Sequence, residues 1–221
     1  MRAHIQPVIL FFLMYQSPLG VPAKYSAPLT ALNPPSHTIG ISNLRDFAAV
    51  GMLDMNGPFC QHGTTSVRFP VSTANYSLSA LESAMATLAS IEEPELRNNS
   101  AMIFEAYSLH AVQRIPPPST AFPDRENGVL MAAIMMWDSA GLNATREKEI
   151  EGRAVGYAKA MRDVVVRASG GKLHAYLNYA HGDEGLEAMY GHESWRVERL
   201  RALKGEWDPE NRFGWYAPIV G

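Results

Sequence analysis

The chain has 221 residues, 47% of them hydrophobic, which is enough for one sizeable core or two small ones. Charged residues make up 19% and the formal net charge is -3, so no basic surplus points to nucleic acid or to an anionic membrane surface. Cys60 is the only cysteine, which excludes an intrachain disulfide, and its apolar setting after Pro58-Phe59 reads as a buried structural thiol.

In chain order, residues 5–15 form an apolar run that reads as a buried strand stopped by Ser17-Pro18-Leu19-Gly20. The same run, behind Met1-Arg2, also has the form of a short secretory leader, but no small-x-small cleavage site follows it. It is too short to span a bilayer, which takes about 20 apolar residues. Three Asn-x-Ser/Thr sequons, at Asn75, Asn98 and Asn143, support a secretory route only weakly. Residues 21–32 read as a helix with Tyr25, Leu29 and Leu32 on one face, ended by Asn33-Pro34-Pro35. Residues 37–66 are rich in Gly, Pro and Asn, with a weak helical turn over 43–50.

Residues 67–71 read as a brief strand. Residues 77–90 are a helix capped by Ser77, with Leu78, Leu81, Met85 and Leu88 as its inward stripe. Residues 101–114 read as a strand ended by Pro116-Pro117-Pro118, and 128–137 as another, the two joined by a loop that suits antiparallel pairing. Residues 146–168 are a long helix with Ile150, Ala154, Ala158, Met161 and Val165 inward and Gly170-Gly171 at its end. A last strand over 172–179 and a last helix over 193–204 follow. In that helix Val197, Leu200 and Leu203 face inward and Arg196, Arg199 and Arg201 outward. The class is α+β, a mostly antiparallel sheet with helices on one face.

No phosphate loop, dinucleotide fingerprint, metal-ligand spacing or nucleophile elbow is present. Polar residues on strands remain. Alternation puts Glu105, Tyr107 and Gln113 on one face and His174, Tyr176 and Asn178 on one face of the last strand. They make either a polar floor above a ring-shaped ligand or a solvent-facing carboxylate with rim tyrosines.

The C-terminal end decides the direction. Tyr176-x-Asn178-Tyr179, Tyr190-Gly191, Arg199-Leu200-x-x-Leu203-Lys204 and Trp207-Asp208-Pro209-x-Asn211-x-Phe213 resemble, in order and spacing, the end of FAD-linked oxidoreductases similar to berberine bridge enzyme. The stretch from Thr120 to Arg125 resembles a loop of the same family, with Asp124 in place of its usual His, and Trp137 stands where relatives end a strand.

The resemblance implies the substrate domain of a p-cresol-methylhydroxylase-type flavoenzyme. Residues 1–170 would be the substrate-binding α+β part and 171–221 the berberine-bridge-like segment, while no region matches the N-terminal FAD-binding domain. It further implies FAD as cofactor and Glu105 and Tyr176 as catalytic residues. Asn178, Tyr179 and Asn211 would lie on the flavin side, and Tyr107, Gln113 and His174 would line the substrate. The implied activity is oxidation of a small alcohol, amine or phenol in specialised metabolism, by a truncated chain inactive alone. The alternative is a non-catalytic orphan domain that binds a small molecule or a separately encoded flavin-domain chain, or that self-associates. Nucleic acid and membrane are not expected partners.

Overall fold

The computed structural model describes residues 8–51, 54–57, 60 and 62–219. They divide into two compact units, residues 8–63 and residues 64–219.

The first unit holds two helices, α1 (Ala23–Ala31) and α2 (Phe47–Val50), neither with a buried residue. Asn43 starts α2's turn, its side-chain oxygen accepting from Asp46 N–H at 3.0 Å. The strand read at 5–15 is not found over its described part: residues 8–15 have no regular structure, and Val8 and Ile9 are 87% and 85% exposed. A strand needs a neighbour to take its backbone bonds, and the described residues of this unit hold no strand to supply one. The Tyr25 and Leu32 face of α1 is likewise exposed. Cys60 is half-buried, not enclosed.

The second unit is a three-stranded antiparallel sheet in the order β1-β3-β2, with β1 at Thr64–Thr73, β2 at Ala101–Ala106 and β3 at Val129–Asp138. The central strand β3 is the apolar run VLMAAIMMW, as a strand covered on both faces requires. β1 pairs with it from Thr64↔Asp138 to Thr73↔Val129, and β2 from Ala101↔Ile134 to Ala106↔Val129. The hairpin of β2 and β3 was legible in the sequence.

Two helices cover one face, α3 (Leu78–Ala89) and α5 (Ala144–Ala168). Val67 and Phe69 of β1 and Ala133, Met135 and Trp137 of β3 meet Ile150, Ala154, Ala158 and Met161 of α5 in the core. All the α5 positions expected inward are buried. The stripe of α3 differs from expectation: Ala80 and Ala84 are buried, while Leu78 is 71% exposed. Small residues on both helices, Ala84 on α3 with Ala154 and Ala158 on α5, form the centre of the seam, and Leu81 and Leu88 pack at its margins, partly buried. The short turn α4 (Pro94–Arg97) buries Leu96 and is tied to α5 by Arg146 to Glu95, and by Arg153 and Tyr157 to Glu93.

β2 stops at Ala106, well short of the strand expected to 114. Two 3-10 turns follow, Val112–Arg114 and Pro117–Ser119. The strand expected over 172–179 is an extended segment that makes one backbone bond to the edge of β1, Ser72 N–H to His174 C=O at 2.7 Å. Pro70 stands two residues before Ser72 on that outer edge and has no N–H to offer, so the ladder cannot continue. A 3-10 turn, Leu177–Tyr179, replaces it. The C-terminal helices are α6 (Leu186–Tyr190) and α7 (Ser194–Trp207).

The packing of α3 separates two substitutions that pattern alone would rank the other way. Ala158→Leu should cost about 1–3 kcal/mol by overpacking, whereas Leu78→Ser should change stability by no more than about 0.5 kcal/mol. Urea unfolding of the two variants measures both.

Candidate functional site

Glu105 is the second-last residue of β2, on the sheet face opposite α3 and α5. Its two carboxylate oxygens are taken by two phenols: Tyr107 donates to Oε2 at 2.5 Å and Tyr179 to Oε1 at 2.8 Å. Tyr179 stands edge-on to Tyr176, with ring centroids 5.3 Å apart, and Asn178 Nδ2 donates to the Tyr176 hydroxyl at 2.9 Å. Five of the eight residues named from sequence therefore converge: Glu105, Tyr107, Tyr176, Asn178 and Tyr179. They converge by a different route from strand alternation, because Tyr107 lies past the end of β2 and residues 177–179 form a turn.

The cluster's protonation follows from its geometry. The hydrogen bond to Glu105 holds the Tyr107 hydroxyl up at about 12, since losing its proton would set two negative charges side by side. Burial, and then the bond to Glu105, raise Tyr179 further. Both phenols are thus proton donors at neutral pH. Tyr176 accepts from Asn178, and its own proton is left to give.

The other three named residues lie elsewhere. Gln113 is exposed in a 3-10 turn beyond the end of β2, so the face it was to share with Glu105 does not exist. His174 packs edge-on against His192 at 4.9 Å, and burial lowers its pKa. Asn211 sits at φ 51 in a turn after α7.

That turn explains the Asp-Pro-x-Asn-x-Phe pattern. Asp208 accepts from Arg212 N–H at 2.7 Å and Phe213 N–H at 3.0 Å, and is paired with Lys204. Asparagine tolerates the left-handed backbone at 211. Gly191, at φ 108, ends α6, and a Cβ there would lie 2.5 Å from Arg196 Cδ. Tyr190 donates to Ala217 C=O and Tyr216 to Leu177 C=O, which strap the tail to the segment carrying Tyr176–Tyr179.

The sequence reading missed Arg162, on α5 and only 4% exposed. It makes a bidentate pair with Asp183 at 2.8 Å through both Nη atoms, reaches Glu184 at 3.2 Å, and lies over the Phe69 ring at 4.8 Å. Glu184, with no exposed side-chain surface, also accepts from His181 and Gly182 N–H. This clamp holds the loop that follows Tyr179. An arginine at a heptad-interior position of an apolar stripe, and an Asp-Glu pair after a Gly, were the available signals. Arg196, expected outward, is 3% exposed and bonded to Glu193. Arg125 is also buried, and ties Val112 C=O and the Thr120 hydroxyl together.

Among the described residues, no group of three or more His, Cys, Asp or Glu is arranged to hold a metal, and no helix is long and apolar enough to cross a membrane.

A small antiparallel sheet helix-covered on one face is a fold shared with part of several solved flavoenzymes. CrmK, a flavoenzyme involved in a shunt product recycling mechanism in caerulomycin biosynthesis, matches with a TM-score of 0.60 at 20% identity, over 85% of this chain and 39% of that one. The carbohydrate oxidase of Microdochium nivale matches with a TM-score of 0.59 at 16% identity, over 91% of this chain and 43% of that one. Residues 175–219 match the "Berberine and berberine like" family model, and the chain is similar to curated FAD-linked oxidoreductases. It is similar to the FAD-linked oxidoreductases chry5 of Gibberella zeae, at 33% identity, and chyH of Penicillium rubens, at 30%, each over 97% of this chain. The chain spans 42% of the length of those two relatives.

Two measurements check the electrostatics. Arg162, ahead of the other causes, holds Asp183 at about 2, below its ordinary 3.8. A depressed carboxyl stabilises the fold above its unfolded pKa, and that contribution is lost as pH falls toward 2. Arg162→Met should therefore remove stability at pH 5 and flatten the loss between pH 4 and 2, as read by urea midpoints. Glu105→Gln should bring Tyr107 down from about 12 toward 10, as read by spectrophotometric titration of the phenols.

Proposed function

We propose that this chain forms the substrate-binding part of an FAD-linked oxidoreductase of specialised metabolism, acting on a small alcohol, amine or phenol. The observation that carries this reading is the convergence of Glu105, Tyr107, Tyr176, Asn178 and Tyr179 on one sheet face in a relative of FAD-linked oxidoreductases.

The donor set suits one side of a flavin ring and the substrate beneath it. Phenol and amide N–H and O–H groups complement the carbonyl and nitrogen edge of an isoalloxazine. None of the described residues forms a glycine-lined diphosphate cradle. The close-approach glycines, Gly128, Gly191 and Gly214, face side chains of this chain instead. On this reading Tyr176, Asn178 and Tyr179 hold the ring side, and the rest of the flavin site comes from another part of the polypeptide or a separate flavin-domain chain. The exposed aromatics of the tail, Trp207, Phe213 and Trp215, suit such a covering partner or self-association. Asn211 contributes through the turn that sets this tail.

When bound, FAD takes up the two electrons of the oxidation. Glu105 takes the proton of the substrate's O–H or N–H. Of its two phenol partners Tyr107, 67% exposed, is freer to swing aside for substrate than Tyr179. Tyr179 keeps its hydrogen bond and fixes the carboxylate's orientation, while Tyr176 offers its proton to a substrate oxygen. A purely binding role for the same cluster is the second reading, favoured by the phenol already bonded to each Glu105 oxygen.

Adding FAD to the purified chain, alone and with a candidate flavin-domain chain, tests the proposal. Bound flavin absorbance and peroxide formation from alcohols, amines or phenols support it. Flavin binding with no turnover of any of these classes favours the binding role. Where turnover is seen, Glu105→Gln should lower kcat by roughly 10²–10⁴-fold.

A further inference from the structure

Adjoining the Glu105 cluster lies a second feature. A pocket of about 290 Å³ is lined by Ser66, Arg68, Asn178, Tyr179, His181 and Tyr216, together with backbone at Val67 and Ala180. It opens at the outer edge of β1 and shares Tyr179 and Asn178 with the cluster.

Arg68 is the unusual member. It sits in the interior of a strand whose last five residues are all buried, and it is itself half-buried. A charged side chain there is disfavoured unless something uses it. The buried arginines of this unit are used: Arg125 by Val112 and Thr120, Arg162 by Asp183 and Glu184, Arg196 by Glu193. Arg68 has no ion pair and no side-chain hydrogen bond among the described residues, and neither has the neighbouring Ser66 hydroxyl. Glu184, three residues beyond His181, is spent on Arg162 and on two backbone N–H groups.

The rest of the pocket is aromatic and hydrogen-bonding. His181 is stacked on Phe69 at 4.3 Å and is held in place as a flat wall. Tyr216 spends its proton on Leu177 and Ala180 carbonyls, leaving its ring as a second wall. Asn178 spends one amide hydrogen on Tyr176 and keeps another. A free guanidinium, a free hydroxyl and a spare amide between aromatic walls match one ligand chemistry, a carboxylate on a flat ring.

We infer that this pocket is a carboxylate-anchoring subsite: Arg68 and Ser66 hold the acid group of an aromatic or similarly planar acid. The rest of that molecule runs past Tyr179 toward Glu105. That the acid is a substrate rests on the function proposed above; that the pocket binds it does not. The substrate class narrows accordingly, to an alcohol, amine or phenol that also carries a carboxylate.

Isothermal titration calorimetry on the full chain without flavin tests the inference with three probes. Benzoate should bind saturably. Benzamide, the same shape without the charge, should bind at least about tenfold more weakly, the scale of one charge-assisted contact. Inorganic phosphate should not compete with benzoate; equal competition would overturn the carboxylate assignment. Arg68→Gln should weaken benzoate at least about tenfold and Arg68→Lys should restore part of it as a bare charge, with unchanged circular dichroism showing that both variants fold. Equal binding of benzoate and benzamide, or benzoate binding indifferent to Arg68→Gln, would overturn the inference. An inactive chain with an Arg68-dependent benzoate site refutes only the oxidase reading, and an active chain without that site refutes only this one.

Discussion

The interaction on which the site depends is the buried guanidinium of Arg162. A charge removed from water this completely must be neutralised, and breaking such a pair by removing one partner costs about 3–5 kcal/mol. Arg162 reaches its partners only because α5 lies flat on the sheet and carries it past Phe69 to the loop at 181–184. In turn, the loop's backbone donors close on Glu184, and the segment just before it presents Asn178 and Tyr179 to the sheet's other face. Packing on one side of the sheet is thereby converted into side-chain placement on the other.

Edge chemistry sets the second constraint. Pro70 interrupts the donor row of β1, so the chain at 172–179 is not absorbed into the sheet as a fourth strand. Had it been, alternation would have sent Tyr176 and Tyr179 to opposite faces. The 3-10 turn instead lets Tyr176, Asn178 and Tyr179 contribute to one cluster.

What the sequence revealed follows from where periodicity holds. The α5 stripe, the Ser77 cap and the β2–β3 hairpin were legible because each rests on local spacing and burial. The ends of strands were not, since β2 stops where the chain leaves its partner and no residue type marks that point. The apolar run at 8–15 shows the converse, strand composition without a partner. In the candidate site, Glu105 was readable as a carboxylate misplaced in a strand, and the tyrosines through resemblance. Gln113 and His174 were assigned by an alternation that the backbone does not follow. Arg162 carried only its place in an apolar stripe and Arg68 no local mark, because what makes each unusual is the residue it meets, or fails to meet, across the fold.

The turn built on Asp208 bears on how such chains are recognised. Its aspartate, proline and asparagine fold the tail, and Gly191 makes room for Arg196; none of them touches Glu105. The recognisable residues of this turn are thus architectural, whereas Tyr176, Asn178 and Tyr179 belong both to the recognisable ending and to the cluster around Glu105. A lineage could lose its carboxylate and its reaction yet keep every recognisable letter of its ending. The carboxylate stands apart from the letters that mark kinship, and the one can be inherited without the other.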